Sequence, residues 1–400
     1  MTSRSRLLVS HPRGLVLSVP PFLSLREWIP KTMTISENCV VSRRLTSLDA
    51  LRGADLFWIL GGHAIVSALA TSTGWGPLVW VEQQCHHVEW HGFHFYDLIF
   101  PLFLFLAGVS MPLSFAKRIE QGATRRALTL HAMKRGLILV LLGLVCNGFF
   151  AFDFENLRCA SVLARIGLAW MLAAFLVIWF PPRIQVAWFV GILLGYWAAL
   201  ALVPVPDTGV ASFEPGRTLT DWIDRQFLPG VLHEGNRDPE GLLSTFPAIC
   251  TALAGVFAGR WLTRKGTSEN LRVVGLIVAG GVALALAAAW DQVFPINKKL
   301  WTSSFVLCCA GWSLIFLAIF YWVIDVRGWK AWSKPFVVFG ANSITIYMLN
   351  VFVDFSKISE LLVGENIPSY LHPVFLPLGA LVLKWVLLDW MYRRRIFLRI

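Results

Sequence analysis

Residues 98–115 read LIFPLFLFLAGVSMPLSF. The run has no ionisable side chain and is long enough to enter or cross a bilayer, whose hydrocarbon core takes about 20 helical residues. Comparable apolar runs lie near 50–70, 96–115, 133–152, 160–180, 184–203, 241–261, 271–290, 301–324, 335–355 and 371–391. The 400-residue chain is 56% hydrophobic and only 15% charged, with a mean hydropathy of +0.63. A soluble domain carries about a quarter charged residues. The expected architecture is therefore all-α: a polytopic integral membrane bundle of about ten transmembrane helices.

The net charge of +11 would suggest nucleic acid in a soluble protein, but its placement argues against that partner. Basic residues gather before the first run (Arg43, Arg44, Arg52) and between the second and third (Lys117, Arg118, Arg125, Arg126, Lys134, Arg135). They gather again near Arg260–Arg272, Arg327–Lys334 and Arg393–Arg399. These are alternate connections, while the segment 71–95 contains no Lys or Arg. Such a positive-inside bias predicts both termini in the cytoplasm, with 71–95 and the long segment 204–240 outside. Residues 1–42, broken by Pro12, Pro20, Pro21 and Pro30, read as a disordered or mis-started extension, with the membrane domain at 43–400. Seven cysteines show no disulfide or structural-zinc spacing.

The chemistry-bearing residues collect at the outer lip of the second run. His86, His87, His91 and His94 precede Asp97, and titratable groups at the edge of a span are functional candidates. A helix would put His87, His91 and His94 on one face. Three readings compete there: an exposed interfacial helix, a zinc site completed by Cys85, Glu89 or Asp97, and a histidine base or nucleophile. Asp97 could orient that histidine or pair with Arg165 instead. Asp238 followed by Pro239 reads as an N-cap and first-turn proline for the run at 241–261. Asn297 and Lys298 lie on the same side, so the topology lets them share a site. Asn342 and Ser343 sit within the ninth run, and His63 lies beside Gly61 and Gly62 in the first.

The order of motifs resembles a known family. Ser47-Leu-Asp49-Ala-Leu-Arg52-Gly53 is followed by His87-x-x-Trp90-x-Gly92, Asp97-Leu-Ile-Phe-Pro101 and Phe105-x-x-Gly108-x-Ser110. Then come Val162-Leu-x-Arg165-x-Gly167, Asp238-Pro-Glu240-Gly-Leu-Leu243, Pro295-Ile-Asn297-Lys298-Lys-Leu-Trp301 and Gly340-x-Asn342-Ser343-Ile344. Over about residues 43–355 this resembles the heparan-α-glucosaminide N-acetyltransferase family and its bacterial relatives. The resemblance implies a transmembrane acetyltransferase that moves an acetyl group from cytoplasmic acetyl-CoA to an amino sugar or glycan at the outer face. It implies His87 and Asp97 as catalytic residues. His63, Trp90, Asp238, Glu240, Asn297 and Lys298 would meet the acceptor, and Arg52, Arg165, Asn342 and Ser343 the acetyl-CoA. No metal is expected.

One departure is that His63 stands where the family has an asparagine. The implied location is a bacterial inner membrane, and large apolar faces leave room for a homodimer. The alternative function is a transporter of N-acetylglucosamine or a related amino sugar, as some bacterial relatives are labelled. A transporter should carry paired broken helices around a midplane site, and no such pairing is seen in the sequence.

Overall fold

The computed structural model describes residues 45–363 and 372–398; the extension at 1–42 lies outside them. Among the described residues there is no β-strand, and Arg158 and Gly230 form an isolated antiparallel bridge. Nine segments among these residues are long and apolar enough to cross a membrane, or ten if one bent pair forms a single span. The chain is thus the expected all-helical, polytopic bundle.

The first span joins α1 (Thr46–Phe57) to α2 (His63–Thr73) through a π-helical turn at Trp58–Gly62, kinked where Gly61 takes φ 146°. The short α3 (Gly76–Gln84) precedes the histidine loop. Then follow α4 (Phe95–Glu120), α5 (Arg125–Cys146), α6 (Val162–Trp179), α7 (Pro182–Leu202), the short α8 (Leu219–Phe227) and α9 (Thr245–Leu262). The remainder is α10 (Glu269–Asp291), α11 (Ser303–Phe320), α12 (Lys334–Ala341), α13 (Ser343–Phe352), α14 (Phe355–Val363) and α15 (His372–Arg393).

Helices α4 and α9 form the interior, each with 72% of its most apolar window buried, against 22% for α7 and α10. Lipid is as apolar as leucine, so exposed Leu and Val on the peripheral helices cost nothing there, and association rests on close packing of small residues. Gly255 and Gly259 of α9, one turn apart, press on the Phe105 and Val109 carbonyls of α4, while Gly108 of α4 presses on Ala252. A Cβ at any of these three glycines would overlap backbone. Gly53 and Gly340 join α1 to α12 in the same way. The Asp325 carboxylate accepts from the Thr46 and Ser47 amides (3.3 and 3.1 Å), where the positive end of α1 favours an anion.

Four expectations need correction. The ninth run is not one straight span: α12 and α13 meet at Asn342 with a bend of 64°. The Asn342 amide is committed instead to the C-terminal segment, donating to the Ile396 carbonyl (2.9 Å) and accepting from the Leu398 amide (3.2 Å). The histidines do not share a helix face, because α3 stops at Gln84 and residues 85–94 are irregular. Asp238 is not an N-cap: α9 begins seven residues later, after Ser244, since the Asp238 carboxylate is held by Arg158. The third span starts at Arg125 rather than 133, with the Thr124 hydroxyl capping the Ala127 amide.

Candidate functional site

The site begins at the first turn of α4. Asp97 is the third residue of that helix, and its Oδ2 accepts from the amide of the N-cap residue His94 (3.1 Å), the return half of a capping box. Its Oδ1 accepts from His87 Nδ1 at 2.7 Å. One carboxylate, its side chain only 2% exposed, therefore starts the helix and orients the imidazole. A proton on Nδ1 facing Asp97 leaves Nε2 as the acceptor, a tautomer assigned from this contact. The His87 side chain is 48% exposed and rests against Tyr96, ring centroids 4.9 Å apart.

A second loop brings a lysine to the same ring. Lys298 Nζ lies 3.0 Å from His87 Nδ1, 3.1 Å from Nε2 and 3.5 Å from Asp97 Oδ1. The turn that presents it is built by fully buried Asn297, whose side-chain oxygen accepts from the Leu300 amide (2.9 Å) and whose carbonyl accepts from Thr302 (3.1 Å). Trp301 closes the turn at φ 53°, a costly conformation for a bulky residue. Its indole is held by Thr251 Oγ1 (3.2 Å) and by the Arg165 guanidinium 5.1 Å above the ring. The Gly92 amide donates to the Ile296 carbonyl (2.8 Å) and ties the two loops together. Burial pulls the Lys298 ammonium below the ordinary lysine value, while the charges of Asp97 and Glu240 hold it up.

The third contributor is the loop before α9. Arg158 grips Asp238 through Nε and Nη2 (2.7 and 2.6 Å) and also binds Glu240. Burial would raise the Asp238 pKa, but Arg158 and the Glu240 and His233 amides outweigh it and hold the carboxyl below its ordinary range.

Three cavities run in series through the bundle and are named outer, middle and inner after the sides that the positive-inside bias predicts. The outer one, about 360 Å³, includes His87, Trp90, Asp97, Glu234, Glu240 and Lys298 in its lining. The middle one, about 270 Å³, is largely apolar, with Leu56, Ile59, Ile99, Phe100 and Ile166 in its wall. The inner one, about 520 Å³, carries Arg52, Lys117, Arg118, His131 and Arg135. His87, Glu240 and Lys298 line both the outer and middle cavities. Phe103, Ser343 and Ile344 line both the middle and inner ones.

Of the residues singled out in the sequence, the structure brings His87, Asp97, Trp90, Glu240 and Lys298 to the outer cavity, and Arg52 and Ser343 to the inner one. Asp238 and Asn297 shape the loops behind the outer cavity rather than lining it. Arg165 does not pair with Asp97; it donates to the Gly241 carbonyl (3.2 Å) and to Ser244. It lines none of the three cavities, and neither does Asn342.

His63 Nδ1 donates to the Trp58 carbonyl (2.9 Å) in the π-helical turn, and the ring lines a separate cavity with Cys85 and His86. His91 lies 3.5 Å from the Asn297 amide, and His94 faces the His86 carbonyl (3.0 Å). Among the described residues no group of three or more His, Cys, Asp and Glu is arranged for a metal ion. Sequence reasoning missed Arg158. The available signal was a lone arginine in an outer connection that the charge bias leaves almost free of them.

The family model described as "Heparan-alpha-glucosaminide N-acetyltransferase, catalytic" matches residues 44–287. The matched stretch takes in His87, Asp97 and Glu240 and ends before Lys298. The heparan-alpha-glucosaminide N-acetyltransferase of Homo sapiens is 27% identical over 420 aligned positions, covering 89% of this chain and 60% of the human protein. That of Mus musculus is 27% identical over 366, covering 76% of this chain and 54% of the mouse protein. The chain thus spans between half and two thirds of the length of these relatives. With more than half of its residues matched by the family model, the chain belongs to the heparan-alpha-glucosaminide N-acetyltransferase catalytic family, a family of membrane-embedded acetyltransferases.

Proposed function

We propose that the protein transfers an acetyl group from acetyl-CoA, admitted at the basic end of the bundle, to the amine of an amino sugar or glycan terminus that enters the outer cavity. The observation that carries this reading is the series of three cavities and the chemistry of each. The inner one offers the cations that the phosphates of CoA need. The middle one suits the uncharged pantetheine arm, and the outer one offers Trp90 and Glu240 to a sugar ring and its ammonium. The thioester carbon would meet the acceptor where the middle and outer cavities share His87.

In this reading neutral His87, oriented by Asp97, takes the proton that the amine loses as it attacks. A covalent acetyl-histidine followed by a second attack uses the same atoms. The lysine and arginine bias supports a cytoplasmic basic end and cytoplasmic termini, and the proposed location is multi-pass in a bacterial cytoplasmic membrane. The test is purified protein with labelled acetyl-CoA and glucosamine. Acetylated sugar should form, and His87→Ala should abolish it. Sugar uptake into liposomes without any acetylated product would instead establish the transporter reading, which the bend at Asn342 favours. The polar groups lie at the two ends of the cavity series, with the apolar middle cavity between them rather than a polar midplane site, and this speaks for the enzyme.

A further inference from the structure

We propose that Lys298 is the general acid of the transfer and forms with His87 a two-residue proton relay that resets itself in each turnover. This rests on the reading of the protein as an acetyl-CoA-dependent transferase, and it assigns the lysine a step that a merely substrate-holding cation would not perform.

The geometry is specific. Lys298 is one of three residues shared by the outer and middle cavities, so it stands where a thioester arriving through the apolar passage meets an acceptor arriving from outside. Its Nζ is nearly equidistant from the two ring nitrogens of His87, 3.0 Å from Nδ1 and 3.1 Å from Nε2, and Nε2 is the one left free to exchange a proton when Nδ1 faces Asp97. The groups that face it are Asp97 at the start of α4, His87 in the preceding loop, Glu240 in the loop before α9, and Cys309 in α11. Two of these are carboxylates, which keep the lysine protonated in the resting site. Burial works the other way and makes the proton easier to give up.

The chemistry demands such a donor. Attack of the amine nitrogen on the acetyl carbon forms a C–N bond, and collapse breaks the C–S bond with its electron pair going to sulfur. The amine proton goes to His87 Nε2. The departing sulfur belongs to an alkyl thiol, a class that is largely protonated at neutral pH, and would otherwise leave as an anion into an apolar passage, which is unfavourable. Transfer of a proton from Lys298 Nζ to that sulfur releases neutral CoA thiol. The lysine is then a neutral amine beside an imidazolium, and one proton passes from His87 Nε2 to Lys298 Nζ. Both residues return to their starting forms. An acceptor arriving as an ammonium first loses one proton to solvent, so atoms and charges balance.

The experiment compares wild type, Lys298→Met and Lys298→Arg, each with glucosamine as acceptor and two donors: acetyl-CoA, and an acetyl thioester of an acidic aromatic thiol that needs no protonation to leave. Folding of each variant is checked by its thermal midpoint in detergent. Lys298→Met should lose about 10²- to 10⁴-fold in kcat with acetyl-CoA, the usual worth of a general acid, and much less with the acidic thioester. Lys298→Arg keeps the charge but cannot surrender a proton, so it should behave like the methionine variant. An arginine variant at wild-type rate, or a loss of equal size with both donors, overturns the acid role while leaving the transferase reading in place. Wild-type protein that forms no acetylated sugar from acetyl-CoA overturns both.

Discussion

Arg158 binds Asp238 in a bidentate pair, its Nε and Nη2 at 2.7 and 2.6 Å from the two carboxylate oxygens across 80 residues of chain. The pair ties the connection between α5 and α6 to the loop that delivers Glu240, and so sets one wall of the outer cavity. The Asp238 side chain is fully buried and that of Arg158 only 19% exposed. Removing one partner of a buried ion pair costs about 3–5 kcal/mol, because the other charge is left uncompensated. Arg158→Ala should lower the thermal midpoint accordingly. Arg158→Lys should recover only part of the loss, since an ammonium cannot reproduce the planar two-bond contact.

Asp97→Asn separates the two duties of that residue. An amide oxygen can still accept from the His94 amide, so α4 should keep its start and the protein its thermal midpoint. The oriented carboxylate facing His87 Nδ1 is lost, and kcat for acetyl transfer should fall about 10²- to 10⁴-fold. A parallel drop in stability would mean that the carboxylate serves the helix alone.

At the basic end, Arg135 lines the inner cavity with its guanidinium 4.2 Å above the Trp170 ring, and its Nε has no hydrogen-bond partner. If phosphates of acetyl-CoA lodge there, Arg135→Gln removes a charge-assisted contact worth about 1.5–3 kcal/mol. That corresponds to a rise of about 10- to 100-fold in KM for acetyl-CoA. KM for glucosamine should not move. Steady-state kinetics with each substrate varied in turn decides it.

Asp224 gives the fold a pH dependence of its own. Burial pushes its carboxyl up to about 7, against the lowering effect of the Leu242 amide, which donates to Oδ1 at 2.8 Å. The unfolded chain releases that proton near its ordinary value of about 3.9. A group whose native pKa is raised supplies stability below the unfolded value and loses it as pH climbs through the native one. Asp238, held low by Arg158, acts in the opposite sense only at more acidic pH. The thermal midpoint should therefore fall between about pH 4 and 7 and level off above, and Asp224→Asn should flatten that slope. An unchanged slope in the variant would assign the effect to another group.

The spans were legible because hydrocarbon enforces a local rule: every backbone hydrogen bond must close within the segment, so an apolar run of sufficient length is a helix whatever surrounds it. His87 and Asp97 were legible too, ten residues apart at the lip of one such helix. The ninth run shows the limit, since hydropathy weighs Asn342 as one polar residue among apolar ones. It cannot register that the amide is held by Ile396 and Leu398, 54 and 56 residues away. For the same reason Asp238-Pro239 passed for a helix start when its carboxylate was already taken by Arg158.

The linear order of residues was enough to establish a helical membrane bundle and the family it belongs to, and to single out the histidine that meets Asp97 at the start of α4, since each depends on composition or on short motifs. It was not enough to show that Lys298 touches an imidazole 211 positions earlier, or that Glu240 joins them between two cavities. Those contacts follow from how α4, α9 and α11 pack, and glycine-mediated contact between backbones is a property of paired surfaces that neither strand of sequence carries alone.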